Sequence, residues 1–433
     1  MLSTIPFGED FLHYIWQHKA FDFSDLCTTT GASLQIVAAG KYNKNAGADF
    51  SEAKIYIDGV LWVGDVEIHL RASDWRAHGH SGDTAYERVV LHVVFDPNQP
   101  IFYPDGTEIP MLSLQNRISA DLINRYKSLI DNEYWVACQA HLPQALEETD
   151  FLGWLAKMGI ERLEWKMKAI ARQLEATQNN WSELLYWNIA QALGADVNGA
   201  AMLALAQSLP LLTIAKHKDN LPQIEALLFG QSGLLQADSE DKYEQILWRE
   251  YDYLRKKYQL YAINPTHWRF SRMRPANFPT LRIAQLAQLL HQSEHLFAKI
   301  IDTVQLKNCE KLFRLSLHSF WDNHYLLGKV SETNSRKTLG KTGIRTIMLN
   351  TVVPLLFAYG KLRHREELMS RALSWLCMLP AEENQIIDNW LSLGATAINA
   401  LETQALLHLY KYYCTPRHCL DCAVGKCLLR KNE

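Results

Sequence analysis

Residues 47–75, GADFSEAKIYIDGVLWVGDVEIHLRASDW, narrow the folding options of this chain most. Two runs of alternating apolar and polar residues flank Asp58-Gly59. An Asp-Gly pair between such runs predicts a two-residue hairpin turn, which makes the runs antiparallel neighbours in a sheet. Strand alternation in WVGDVEIHL points Val66, Ile68 and Leu70 to one face and Asp65, Glu67 and His69 to the other. Counting outward from the turn sets residue 50 opposite Glu67, so Asp49 and Glu67 become neighbours unless a bulge intervenes; Gly64 is a place for one. Taking unpaired carboxylates out of water costs roughly several kcal/mol each. A divalent cation offsets that cost, because it prefers clustered carboxylate oxygens. The alternative without a metal is a solvated sheet face, common in antiparallel sheets.

The rest of the chain has two textures. EDFLHYIWQHKAF repeats Phe11, Tyr14, Ile15, His18 and Phe21 at helical spacing, and ASLQIVAAG reads as a short strand. SDWRAHGHSGDTAYERV is polar, with Ser73 set to cap a short helix, and VVLHVVF is a buried strand. IFYPDGTEIPMLSL predicts a further hairpin turning at Pro104-Asp105-Gly106, and SADLINRYKSLID a helix behind an N-cap serine. From Leu142 to Tyr413 helix follows helix. Ile160, Leu163, Met167, Ile170 and Leu174 form one apolar face there. NTVVPLL reads as a buried helix broken by Pro354, with Asn350 tying up backbone groups. A length of 433 residues favours two or three domains. The expectation is an α+β chain: an α/β domain with a mixed sheet over residues 1–140, an all-helical domain over 141–413, and a Cys-rich metal-binding tail over 414–433.

Helix, strand, acid-bearing hairpin, helix, strand is an order that resembles the PD-(D/E)xK nuclease core, over residues 10–96. Asp49 matches the acid that opens that family's second strand, and Glu67-Ile68-His69 matches its acid-x-Lys triplet. Two positions depart: Ala48 stands where the family has proline, and His69 where it has lysine. The resemblance implies that Asp49 and Glu67, with the Ile68 carbonyl, bind Mg²⁺ or Mn²⁺, with Asp65 and Glu52 as further ligands. His69 would then ligate metal or take a proton. NAGADFSEAKIYIDGVLWVGDVEIH, SDWRAHGHSGDTAYERVVLHVVF, RPANFPTLRIAQLA, NTVVPLLFAYG and CLDCAVG together resemble a bacterial family that carries an unknown-function label.

Three more groups carry chemistry. His78, His80, Asp83 and His92 follow the acidic hairpin, and two imidazoles two residues apart can chelate a metal. Histidines beside carboxylates favour Mn²⁺, Fe²⁺ or Zn²⁺ over Mg²⁺. The alternative is a polar loop with His92 hydrogen-bonded in the core. CTPRHCLDCAVGKC spaces Cys414, Cys419, Cys422 and Cys427 to close around one Zn²⁺ or one [4Fe–4S] cluster, with His418 as an alternative ligand. Cys27, Cys138, Cys309 and Cys377 sit among apolar neighbours and read as buried free thiols. HWRFSRMRPANFPTLRIAQLA interleaves Arg269, Arg272, Arg274 and Arg282 with Trp268, Phe270 and Phe278, which can grip phosphate and stack bases. The alternative is a loop whose arginines pair with acids.

A hydrophobic share of 48% excludes wholesale disorder, and a formal charge of −3 excludes a global positive field while allowing one basic groove. Glu9 and Asp10 interrupt the segment where a secretory apolar run would sit. Gln207, Pro210, Asn350 and Pro354 break the longest apolar runs, so the expectation is a cytoplasmic protein without a membrane span. The expected function is metal-dependent phosphodiester hydrolysis on nucleic acid, by a nuclease or a nuclease-derived protein. Two alternatives stand beside it. One is a non-catalytic nucleic-acid- or protein-binding module on a nuclease fold. The other is a His/carboxylate metal hydrolase with a small substrate.

Overall fold

The computed structural model describes residues 5–430. The chain is α+β, with a mixed sheet in the N-terminal region followed by a helical region. It divides into two compact units. One runs to Trp154 and also takes in Ser392–Ala395 and the chain from Leu409; the other comprises Leu155–Leu391 and Thr396–His408. The cysteine-bearing tail is therefore part of the first unit.

In the first unit, helix α1 (Glu9–Gln17) precedes strands β1 (Leu34–Ala38), β2 (Lys41–Tyr42), β3 (Phe50–Ile57) and β4 (Val60–Arg71). A short helix α2 (Asp74–Ala77), strands β5 (Val89–Asp96) and β6 (Met111–Ser113), and helix α3 (Ala120–Ile130) follow. The sheet order is β1-β3-β4-β5-β6, with β2 also on β3. The β3–β4 hairpin turns at Asp58 and Gly59, both with positive φ, as the turn requires. β4 and β5 are parallel, so the chain crosses between them through α2 and the histidine segment.

The hairpin register begins as counted, Ile57 opposite Val60, and shifts by one between Ala53 and Phe50. The bulge lies on β3, where Glu52 takes φ +59, so Phe50 meets Val66. Gly64, opposite Ala53, has a different task. A Cβ there would lie 2.4 Å from Val90 Cγ1 and 2.5 Å from the Arg88 carbonyl oxygen, so glycine admits β5 alongside β4.

Alternation holds across the buried part of β4. Val66 and Ile68 pack with Phe11, Leu12 and Ile15 of α1 and with Leu91 and Val93 of β5. On the other face, Ala48, Ala72, Trp75, Val94 and Met111 form a smaller apolar cluster. Ser73 stands before α2, but its hydroxyl accepts from Asn98 Nδ2 at 3.0 Å and does not cap the helix. Ser119 does cap α3, accepting from Leu122 N at 3.2 Å. The turn at Pro104-Asp105-Gly106 closes through a single Phe102–Glu108 bridge, and its outgoing arm becomes β6, parallel to β5.

The second unit is helical apart from a two-stranded ribbon, His324–Leu326 with Lys329–Val330. Leu163, Ile170 and Leu174 join its core, while Ile160 is exposed. Pro354 does not break its helix: Lys341–Ile347 runs through a π-turn, Met348–Val352, into Val353–Leu362. The wider turn accommodates the amide that proline lacks. Asn350 is exposed, and its Oδ1 accepts from Lys166 Nζ at 3.2 Å rather than serving the backbone. Two helices, Trp181–Ser208 and Lys341–Leu362, are long and apolar enough to cross a membrane, and 56% and 72% of their apolar windows are buried within the protein. Cys309 is buried and Cys138 half-buried, but Cys27 and Cys377 are exposed. Cys27 sits in the loop before β1, and Cys377 lies beside exposed Met378 on the outer face of its helix.

Gly64→Ala forces a backbone clash that no rotamer relieves. It is expected to cost about 1–3 kcal/mol and to lower the thermal midpoint by several degrees, measured by circular dichroism. An unchanged midpoint would remove the close-approach account.

Candidate metal centre

β4 outruns β3, whose pairing stops at Phe50–Val66. The backbone amides of β4 beyond that point need other acceptors, and carboxylates supply them. Asp49 Oδ2 accepts from Ile68 N at 2.9 Å, and Glu9 Oε1 accepts from Leu70 N at 3.4 Å. Asp49 N donates to Glu67 Oε2 at 3.1 Å. The bulge therefore leaves Asp49 and Glu67 adjacent, and α1 brings Glu9 to the same edge. Glu67 is 5% exposed. Burial, and next the charge of Asp49, push its carboxyl up to about 8, so it is mostly protonated at neutral pH without a cation. Burial also raises Glu9.

The other oxygen of Glu67 faces histidines. Glu67 Oε1 is 3.2 Å from His80 Nε2 and 3.6 Å from His69 Nε2. His69, His78 and His80 each offer one nitrogen, and the three nitrogens lie within 4.8 Å of one another. His69 Nε2 is 3.2 Å from His78 Nδ1, and His69 Nδ1 is 2.9 Å from His92 Nε2. Burial, then the neighbouring imidazoles, pull His69 down to about 2. Burial pulls His92 down to about 3. Both rings are neutral at physiological pH, so each carries one N–H. The tautomer in which His69 Nδ1–H donates to His92 leaves His69 Nε2 free as a lone-pair donor. Tyr86 stacks on His80, with ring centroids 3.8 Å apart.

Two buried nitrogens bear on what this site fits. His13 Nε2 lies 3.2 Å from Asp49 Oδ2, and His80 Nε2 lies 3.2 Å from Glu67 Oε1, yet neither makes a well-formed hydrogen bond. Nitrogens and carboxylate oxygens that converge without a hydrogen bond between them fit a divalent cation.

Other expected residues sit elsewhere. Glu52 pairs with Lys41 at 2.6 Å on the exposed side of the bulge. Asp65 Oδ1 accepts from Glu52 N at 3.3 Å and so supports the bulge. Asp83 Oδ1 accepts from Ala85 N at 2.9 Å, capping a short turn beside His80. Arg269, Arg272 and Arg274 are exposed. Arg282 is half-buried and bonds Gln285 and Asn277, while Trp268 is buried and donates Nε1 to the Ser232 carbonyl. Sequence reasoning missed Glu9 and His13. Their spacing of four on an amphipathic helix was the available signal, since it sets both on one face.

A family model described as "Protein of unknown function (DUF2851)" matches residues 9–385. The chain belongs to this family. The DUF2851 match takes in Glu9, His13, Asp49, Glu67 and all four clustered histidines, while the C-terminal cysteines lie beyond it. No match was found among curated proteins or among solved structures.

The raised Glu67 carboxyl makes a linkage prediction for metal-free protein. A neutral Glu67 favours the fold below about pH 4.5, and that contribution is lost as pH rises to about 8. In EDTA, Glu67→Gln is expected to melt near the parent at pH 5 and at least about 3 °C above it at pH 9. A gain that is the same at both pH values would show that ionisation of Glu67 is not the cause.

Proposed function

We propose that the protein is a metal-dependent phosphodiesterase of the nuclease type, acting on nucleic acid in the cytoplasm. The observation that carries the reading is Glu67, with one oxygen beside Asp49 and the other toward His69 and His80. Likeness to a PD-(D/E)xK core rests on the order α1, β1, β3, β4, α2, β5, with Asp49 opening β3 and Glu67-Ile68-His69 inside β4. Glu9, Asp49 and Glu67 Oε2 offer oxygen donors suited to Mg²⁺ or Mn²⁺. Glu67 Oε1 with His69, His78 and His80 offers a nitrogen-rich set suited to Mn²⁺, Fe²⁺ or Zn²⁺. A bound cation supplies Lewis-acid polarisation of a phosphoryl oxygen.

The chain's own groups have narrower tasks. Neutral His69 does not supply the positive charge of a lysine; it acts through a lone pair that His92 orients. Trp75, Tyr86 and Tyr103 line a cavity of about 180 Å³ beside His80, an aromatic wall suited to a base. Arg269, Arg272 and Arg274 are the candidates for phosphate contacts elsewhere on the chain.

A second reading, a hydrolase of small phosphoesters, is favoured by the histidine trio and by the small volume of that cavity. The test compares single-stranded and duplex DNA, RNA and bis(p-nitrophenyl) phosphate, each with Mg²⁺, Mn²⁺ or Zn²⁺. Nucleic-acid cleavage is expected with Mn²⁺, falling about 100-fold or more in Asp49→Ala and in Glu67→Ala. Equal rates in parent and variants would sink the mechanism. Turnover of the small diester alone would select the second reading, and binding without cleavage would select a non-catalytic module.

A further inference from the structure

We infer that Cys138, Cys414, Cys419 and Cys422 form a tetrathiolate centre for a soft metal, with Cys138 rather than Cys427 as the fourth ligand. The inference does not depend on the reading of the acid and histidine cluster. It starts from how the tail is anchored. Arg417, between Cys414 and Cys419 in sequence, takes φ +59 and turns its guanidinium onto the loop before Cys138. Its Nη2 donates to the carbonyls of Asn132 at 2.8 Å and Tyr134 at 3.0 Å, and its Nη1 to Asn132 Oδ1 at 3.2 Å. Asn132 Nδ2 in turn donates to the Ala137 carbonyl at 3.0 Å, one residue before Cys138. This relay fixes the two cysteine-bearing loops against each other. Cys138 packs against the same apolar cluster that holds Cys419.

Three of the four thiols sit on one tight turn: Arg417 N donates to the Cys414 carbonyl at 3.1 Å, Cys419 N to the Arg417 carbonyl at 2.8 Å and Cys422 N to the Cys419 carbonyl at 3.2 Å. Cys419 and Cys422 are buried, and Cys138 and Cys414 half-buried. The surroundings favour thiolates. The backbone N–H groups of Val424 and Gly425 are directed at Cys422, and the positive charges of Arg417 and Lys426 lie nearby. Gly425 lets its helix, Ala423–Leu429, close on the loop: a Cβ there would stand 2.1 Å from the Cys419 carbonyl oxygen. Cys427 faces away, its Sγ donating to Glu148 Oε2 at 3.5 Å.

Thiols on two loops locked together, with amide donors at one sulfur, suit a soft metal, which binds thiolates in place of protons. Among the described residues no three cysteine sulfurs lie within 4.8 Å of one another. A single zinc takes four sulfurs about 3.8 Å apart, and an iron–sulfur cluster takes the same four thiolates at a wider spacing.

The full chain, purified without oxygen, is assayed for iron, sulfide and zinc and for the visible absorbance of an iron–sulfur cluster. About four irons with sulfide, or about one zinc, is expected in the parent and in Cys427→Ala, with at least a five-fold loss in Cys138→Ala. The iron and zinc readings decide which soft metal the site takes. Alkylation of the native parent, read by peptide mass spectrometry, guards against a misfolded variant. Cys138, Cys414, Cys419 and Cys422 should be protected together and become reactive together on chelation, while Cys427 reacts throughout. Absence of metal, a 138–tail disulfide, or metal lost in Cys427→Ala but kept in Cys138→Ala would overturn the assignment.

Discussion

Glu67 is a carboxyl group buried in the middle of the longest strand of a sheet, beside a second acid. A core strand gains nothing from such a residue, since an apolar side chain of similar volume would be at least as stable there. Left alone, the pair avoids most of the cost by keeping a proton: burial, and next the charge of Asp49, push the Glu67 carboxyl up to about 8. Much of the first unit follows from holding that group. The early end of β3 clears its edge, Asp49 and Glu9 cover the free amides there, and the β4–β5 crossover brings His78 and His80 to its other oxygen.

The bulge shows how a small backbone feature sets chemistry. Without it, residue 50 would pair with residue 67, and the ladder would continue along the edge where Asp49 now bonds Ile68 N. One extra residue on β3, taken up by Glu52 in a left-handed conformation, ends the ladder at Phe50 and leaves the next β4 amides to carboxylates. Asp65 then serves the bulge, accepting from Glu52 N. Glu52 thus forms the bulge and Asp65 supports it.

What could be read from the sequence depended on range. The hairpin turn, the alternation of β4 and the cap of α3 are local, and each was legible in a few residues: Asp58-Gly59, Val66 through Leu70, and Ser119. The neighbourhood of Asp49 and Glu67 was also legible, because hairpin counting tolerates a shift of one. Glu9 and His13 were not, because α1 meets β4 from a distance in the chain that no pattern encodes. Cys138 shows the same limit: its apolar neighbours pointed to a packed thiol, which the structure has half-buried against the core, while its nearness to the tail comes from the fold. Pro354 shows the opposite error, a strong local signal overridden when a π-turn absorbs the missing amide.

The histidine at position 69 changes what the site must recruit. A lysine there would balance part of the charge of Glu9, Asp49 and Glu67 by itself. His69 is too deeply buried, among too many imidazoles, to hold a proton near neutral pH. Its neighbours His78 and His80 share the cluster, and burial lowers His80 as well. The nitrogens of His69, His78 and His80 lie within 4.8 Å of one another, a donor set of the kind borderline divalent metals take. A histidine at position 69 therefore contributes a lone pair where a lysine would contribute a fixed positive charge.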